Sequence, residues 1–492
     1  MEALKIQLAN LDTQTLSVWL QHFTEQVRAR KGVVAAVVGF MMVHQLYSAI
    51  ASVPLSLRHV KATNRVREYR YMIQGKSVDV RRRLLTVPLM KQTGVGVYLS
   101  GDRGAWTVMV AEPKAARTLL MKTSKGMWIL QSSILIQNDS QAFFPKTALA
   151  KRPDGELFYK FAGRKNIVNS NGDEWKKHRK PANPAFHKSM PISLFERLTK
   201  VFFKHAALQN NHVNLNELMQ RFTLDAIGNG AFDFDFQAME NPEGLELQAY
   251  NKVMHTIFSP INSIFPWLDT FLFKVSKGRR EMHKQAALLN NLMQRMITKK
   301  KQTIQAAHIA SVDDEEKDLL MMMLEANQEE VDPSKRLTDA DLRNDLVVFF
   351  VAGHDTTSNA LTYALYHLAV NPDVQQRARE ECIRVLGDAP EDIVPDAEQI
   401  KHLTYISQII QETLRTEPPA SGASQHIDAD DAELGGYFIP KGTMVGLDIW
   451  GLHHNPNVWD DPETWNPDRF APGGEYDSKD SYSWLPFGHG QR

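Results

Sequence analysis

The chain has 492 residues, and its 57 Lys and Arg balance 57 Asp and Glu, so no basic surplus marks it for nucleic acid. An apolar content of 43% is that of a globular protein with a sizeable core. The single cysteine, Cys382, excludes an intramolecular disulfide and a cysteine-built zinc site.

Val33 to Val43 is an unbroken apolar run, which polar residues dilute before Pro54. Taken as Val33–Val53 it is long enough to cross a bilayer, with a buried amphipathic helix as the competing reading. Basic residues are denser after the run (Arg58, Lys61, Arg65, Arg67, Arg70) than before it (Arg28, Arg30, Lys31), which puts the main body on the cytosolic side. The chain therefore reads as an N-terminal segment 1–31, a transmembrane anchor 32–54 and one large domain 55–492. The apolar run starts too late for a cleaved signal peptide, and Glu2, Asp12 and Glu25 argue against a mitochondrial leader. Arg58–Arg83 is expected near lipid headgroups, with an ordinary solvated helix face as the alternative.

Val95–Leu99 and Trp106–Val110 predict a hairpin turning at Gly101–Gly104, and Glu112–Met121 predicts a helix. Strand signals are sparse after that. Trp175 and Arg179 are four apart and share a helix face. An indole N–H beside a guanidinium suits a carboxylate or phosphate, though surface stacking explains such pairs too. Residues 192–300 read as amphipathic helices broken at Asn241–Gly244 and Phe258–Pro260. Lys299–Glu316 is polar and charged, and reads as an exposed linker. Cys382 falls in a helical pattern as a small buried hydrophobe.

The most informative stretch is Phe349–Ser358. Gly353 costs a helix interior roughly 1 kcal/mol against Ala, and Thr356, Thr357 and Ser358 favour other conformations. Yet Thr338 followed by acids is a helix start, and Leu361, Leu365 and Leu368 keep helical spacing until Asn371-Pro372. One helix from Thr338 to Val370 would be roughly 48 Å long. A long helix with a weak centre has two readings: a functional site, or a patch of small residues where another helix crosses.

Downstream, Leu403–Thr416 is again helical and holds Glu412 and Arg415 at ion-pair spacing. Leu434–Thr443 reads as a hairpin. Pro467-Asp468-Arg469-Phe470 follows, and Pro486–Arg492 forms a Gly-punctuated loop.

Taken in order, these motifs resemble the cytochrome P-450 family. Ala352-Gly353-His354-Asp355-Thr356-Thr357 looks like its oxygen-activation motif, Glu412 and Arg415 like its Glu-x-x-Arg pair, and Pro467–Phe470 like the motif that follows. Phe487, Gly490 and Arg492 match the first half of the haem-ligand loop, and Trp175 and Arg179 match the Trp-x-x-x-Arg pair. The general look is that of microsomal, fungal members. The resemblance implies a mainly α fold with small β-sheets, a helical bundle around haem b. It implies a monooxygenase that hydroxylates a hydrophobic organic molecule, such as a fatty acid, sterol or xenobiotic. It implies NADPH electrons delivered by a flavoprotein reductase, and a single-pass place in the endoplasmic reticulum membrane among its lipids. Lys176, Lys177 and Lys180 are candidates for the reductase face, with plain solvation as the alternative.

The resemblance also assigns roles. Gly353 would leave room over the porphyrin for dioxygen and substrate, and Ala352 is counted with it among the catalytic residues. Thr356 would bond within a locally opened helix turn and assist proton delivery, with Asp355 linking to solvent. Glu412, Arg415 and Arg469 would form a buried charge cluster of structural value. Trp175, Arg179, His426 and Arg492 would meet the haem propionates. The ligand cysteine of the family follows two residues after the position of Arg492, so it lies beyond this chain, and no residue is assigned to the metal. Cys382 sits in a helix outside that loop, and His489 reads as a loop residue. The chain as given is accordingly expected to be inactive. A P-450-fold isomerase or dehydratase and a haem-free, membrane-anchored interaction protein are the alternatives. The intact Asp355-Thr356 pair argues against the isomerase.

Overall fold

The protein is described by a computed structural model, in which residues 47–48, 51–101, 106–122, 128–131, 156–187, 191–208, 212–257, 259, 266–307, 317–390, 393–427 and 431–490 are described. The chain divides into two compact units, Met1–Pro54 and Leu55–Arg492. The expected anchor lies almost wholly outside the described residues. No described helix is long and apolar enough to cross a membrane.

The second unit is mainly helical. In chain order its principal elements are α1 (Val78–Thr93), β1 (Val97–Ser100), β2 (Thr107–Val110), α2 (Pro113–Lys122), β3 (Trp128–Gln131), α3 (Gly172–Ala182), α4 (Leu215–Phe232), α5 (Leu245–Ile257), α6 (Lys277–Ala307), α7 (Leu319–Glu329) and α8 (Asp339–Val370). Then come α9 (Pro372–Leu386), α10 (Thr404–Thr416), β4 (Ala423–Ile427), β5 (Ala432–Leu434), β6 (Tyr437–Ile439), β7 (Met444–Leu447) and α11 (Ile449–His453). One sheet has the order β1-β2-β7-β4-β3, in which only the β2–β7 pairing is parallel. The second is the β5–β6 hairpin, turned at Gly435 and Gly436, whose φ values of 56° and 79° suit glycine.

Helix α8 is the axis of the unit. Its start is a capping box: the Thr338 hydroxyl accepts from the Asp341 N–H, and Asp341 accepts from the Thr338 N–H. It ends where Pro372 can open α9 but cannot continue α8. The largest apolar cluster wraps its first half, with Leu342, Leu346, Val347 and Phe350 meeting Leu224 of α4, Tyr250 of α5 and Leu289 of α6. At about 25 cal/mol per Å² of apolar surface, that packing outweighs the helix-weak residues at the centre.

Three expectations need correction. Lys299–Ala307 is not linker but the last turns of α6, and Lys300 is buried between Asp233 and Asp318 at 2.8 and 2.5 Å. The stretch 58–83 is not uniformly turned to lipid. Arg65, Arg81 and Arg82 are buried, Arg65 donating to the Gly101 carbonyl and Arg82 pairing with Asp448 at 2.8 Å. Cys382 is only half-buried, and desolvation together with Glu381 raises its thiol.

Candidate active site

A cavity of about 490 Å³ lies beside the centre of α8. Ala352 and Thr356 contribute one wall, Thr413 and Leu414 of α10 another, and the loop Pro486–His489 also borders the space. The lining is mostly aliphatic, and Ala352, Ala360, Ala364, Ala420 and Gly422 keep it open. That is the chemistry a flat apolar macrocycle requires on its two faces.

The α8 motif is split between the cavity and the packing behind it. Thr356 faces the cavity, and its hydroxyl donates to the Ala352 carbonyl at 2.6 Å. The helix runs unbroken through this turn rather than opening. Gly353 does not line the cavity. A Cβ there would stand 2.7 Å from Cδ1 of Ile227, so its missing side chain serves the crossing of α4 over α8. The room on the cavity side is left by Ala352 instead. Asp355 is 6% exposed and also turns from the cavity. One carboxylate oxygen accepts from the Tyr250 hydroxyl at 2.6 Å, and the other lies 3.0 Å from Nδ1 of His354. Burial, then the Asp355 charge, pushes the Tyr250 phenol far above its ordinary value, so it remains a donor. His354 sends Nε2 to the Gln220 carbonyl at 2.8 Å.

The charge cluster is assembled as expected, with one addition. Glu412 and Arg415 are fully buried, and their guanidinium–carboxylate contact is bidentate at 2.7 and 2.9 Å. Arg415 also donates to the carbonyls of His453, Pro462 and Thr464. The Asn466 N–H donates to Glu412 at 2.8 Å. Arg469 comes within 3.5 Å of Glu412, but its direct hydrogen-bonding carboxylate is Glu475. Burial, then the Arg415 charge, lowers His453 to about 3, and its neutral Nε2 accepts the Leu485 N–H at 2.8 Å.

Trp175 and Arg179 are half-buried on α3 and do not line the cavity. The Arg179 guanidinium lies over Phe186, 5.9 Å from its centroid, and Phe186 meets Phe349 of α8. His426 sits on β4 opposite Met444 and Ile129; its side chain lies outside the description. Phe487 is 85% exposed at the cavity rim. Gly490 has φ +111°, a conformation that favours glycine, and Arg492 lies outside the described residues. The His489 ring meets Tyr482 edge-on at 4.9 Å. Each α3 lysine has a carboxylate partner: Lys176 with Asp173, Lys177 with Asp341 and Lys180 with Glu330.

Tyr250 and Glu475 were not found in the sequence. Tyr250 is 105 positions from Asp355 and sits in an ordinary amphipathic pattern. Glu475 follows Arg469 by six residues in a segment without helical period, so spacing carries no signal.

A long central helix, an apolar cavity at its centre and a buried Glu-x-x-Arg cluster beside it define a helical protein built around a flat cofactor. Residues 130–492 match the family model for Cytochrome P-450, and the chain belongs to that family. It is 30% identical over 338 residues to Cytochrome P-450 4F5 of Rattus norvegicus, a match covering 66% of this chain and 63% of the rat protein. It is 32% identical over 333 residues to Cytochrome P-450 4A10 of Mus musculus, covering 65% and 63%. The fold matches the crystal structure of the cytochrome P-450DA heme domain with a TM-score of 0.66 at 22% identity, over 88% of this chain and 86% of that one.

Proposed function

We propose that this protein is a haem-dependent monooxygenase that hydroxylates a hydrophobic small molecule, with NADPH electrons supplied through a flavoprotein reductase at the endoplasmic reticulum membrane. The observation that carries the reading is the cavity, where Thr356 meets a mostly aliphatic space bordered by the loop Pro486–His489. The residues present fit haem b on its apolar faces. By the resemblance, Trp175, Arg179, His426 and Arg492 would meet its propionates. Bound haem supplies the iron at which dioxygen is reduced and one oxygen atom passes to substrate.

The chain's own groups then have distinct tasks. Ala352 keeps the wall low enough for substrate and dioxygen. Thr356 holds its proton toward the Ala352 carbonyl and leaves its oxygen free to accept from water in the cavity. Asp355 is the nearest carboxylate along the helix, and Tyr250 holds it behind the wall. To pass protons from solvent, its carboxylate exchanges the Tyr250 hydroxyl for water. Aliphatic side chains around Thr356 exclude bulk water from that route.

The test is reconstitution, with a flavoprotein reductase and NADPH, of a haem-loaded protein that carries the ligand cysteine the resemblance places two residues after the position of Arg492. A thiolate-type reduced-CO spectrum and oxygen-18 from O2 in the product are expected. Product formed without NADPH would overturn the monooxygenase reading in favour of an isomerase.

A further inference from the structure

Outside the cavity, α3 and the first turn of α8 bring Glu174, His178 and Asp341 together, with one ligand-type atom of each within 4.8 Å of the others. His178 is fully buried, and its Nδ1 lies 2.7 Å from Oδ2 of Asp345, which is equally buried. The other Asp345 oxygen accepts the Ile167 N–H at 2.7 Å. With Asp345 ionised, Nδ1 carries the ring proton and Nε2 presents a lone pair. That Nε2 has no hydrogen-bond partner, and it lies 3.7 Å from Oε1 of Glu174, a buried oxygen likewise without one. An imidazole lone pair held against carboxylate oxygens repels them unless a cation stands between.

We propose that Glu174, His178 and Asp341 bind a divalent transition-metal ion of the zinc class, pinning α3 to α8. One imidazole nitrogen and two carboxylate oxygens are a zinc donor set, and the nitrogen disfavours Mg²⁺ and Ca²⁺. Tetrahedral ligands about 2.1 Å from an ion stand about 3.4 Å apart, close to the His178–Glu174 spacing. A carboxylate behind the histidine, here Asp345, is what fixes the tautomer of a metal-bound imidazole. Lys165 and Lys177 stand 3.5 Å from Glu174 and 3.7 Å from Asp341. They neutralise the carboxylates in part, from beyond ordinary N–H···O hydrogen-bond distance. The rival arrangement is a doubly protonated His178 ion-paired with the same carboxylates.

The test uses the haem-loaded, full-length protein, stripped with chelator and titrated with zinc chloride, with binding read by calorimetry and stability by thermal unfolding. One Zn²⁺ per chain and a Tm rise of a few degrees at saturation are expected, with no response to Mg²⁺. Glu174→Gln and Asp341→Asn each weaken zinc binding by about tenfold or more, and His178→Gln abolishes it. Glu174 is half-exposed, so its variant reads out the site even if the buried His178 variant fails to fold. Absence of zinc binding, or zinc binding that Glu174→Gln and Asp341→Asn leave unchanged, overturns the proposal. So does a nitrogen-15 spectrum showing His178 doubly protonated with zinc present. None of these readouts depends on turnover.

Discussion

The two sides of the cavity are built on opposite principles. Around Glu412 and Arg415, charges are fully buried and held by multiple contacts: a bidentate pair, three backbone carbonyls and a backbone N–H. At the centre of α8 the residues are small or weakly helix-forming, and the polar side chains lining the cavity there are Thr356, whose hydroxyl is turned to its own backbone, and Thr357. Order in the first region comes from electrostatic closure, where removing one partner strands another. Order in the second is imposed by packing from α4 and α5, so single changes on its cavity-facing side cost little, while changes on its packed side do not. The contrast separates residues that hold the fold from residues left free to act.

Arg415→Ala is the severest break of this contrast. It strands Glu412 in the interior and removes the donors to three carbonyls, so destabilisation of about 3–5 kcal/mol is expected. Chemical denaturation of the purified variant measures it. A loss within experimental error would mean that water reaches the cluster and that closure is not what holds it.

Acid probes the same side. His453 is lowered to about 3 by burial and the Arg415 charge, and His367, stacked on Trp465, to about 4 by burial. Both fall below the unfolded value of 6.5, so the unfolded chain binds more protons as pH falls. Their stabilising contribution is complete above pH 6.5 and is lost progressively as pH drops toward the folded values. From pH 6.5 to 4.5 we expect stability to fall as the unfolded chain protonates His367 while the folded ring stays neutral. His367→Phe keeps the ring on Trp465 and should flatten the denaturation-midpoint-versus-pH curve over that window. An unchanged slope would place the titration elsewhere.

The helix crossing gives the next effect. Gly353→Val puts its branched side chain against Ile227 and should cost about 1–3 kcal/mol despite better helix propensity. Ile227→Ala in the same chain should return part of the loss. A double-mutant cycle with no coupling would separate Gly353 from α4 and return it to the cavity.

These contrasts explain what could be read from the sequence. Local rules carried the ends of α8, because Thr338 and Asp341 satisfy each other three residues apart and Pro372 forbids continuation. Glu412 and Arg415 were legible for the same reason, being one helical turn apart. Gly353 was ambiguous because a glycine marks a close approach without saying what approaches, and Ile227 is 126 positions away. Lys300 was misread because a charged residue looks solvated until Asp233 and Asp318, from other segments, are folded against it. The Tyr250–Asp355 bond had no local trace at all.

The smallest expected change in stability is the sharpest test of the division. Thr356→Ala deletes one back-bond to Ala352 and replaces a β-branched residue with the best helix former, so folding stability should move by only about 0.5 kcal/mol. Its effect should fall on proton delivery: in a haem-loaded version that includes the ligand cysteine expected after Arg492, NADPH consumption continues while product per NADPH drops. Thr356→Ser, which keeps the hydroxyl, should restore most of the yield. Tyr250→Phe tests the same route from behind the helix. It removes a donor from a buried carboxylate, at about 1–3 kcal/mol, and leaves every cavity-lining side chain in place. If Asp355 passes protons only after leaving Tyr250, the phenylalanine variant should shift the pH dependence of product yield without altering substrate affinity. If affinity changes and the profile does not, α5 shapes the pocket and the proton route runs elsewhere.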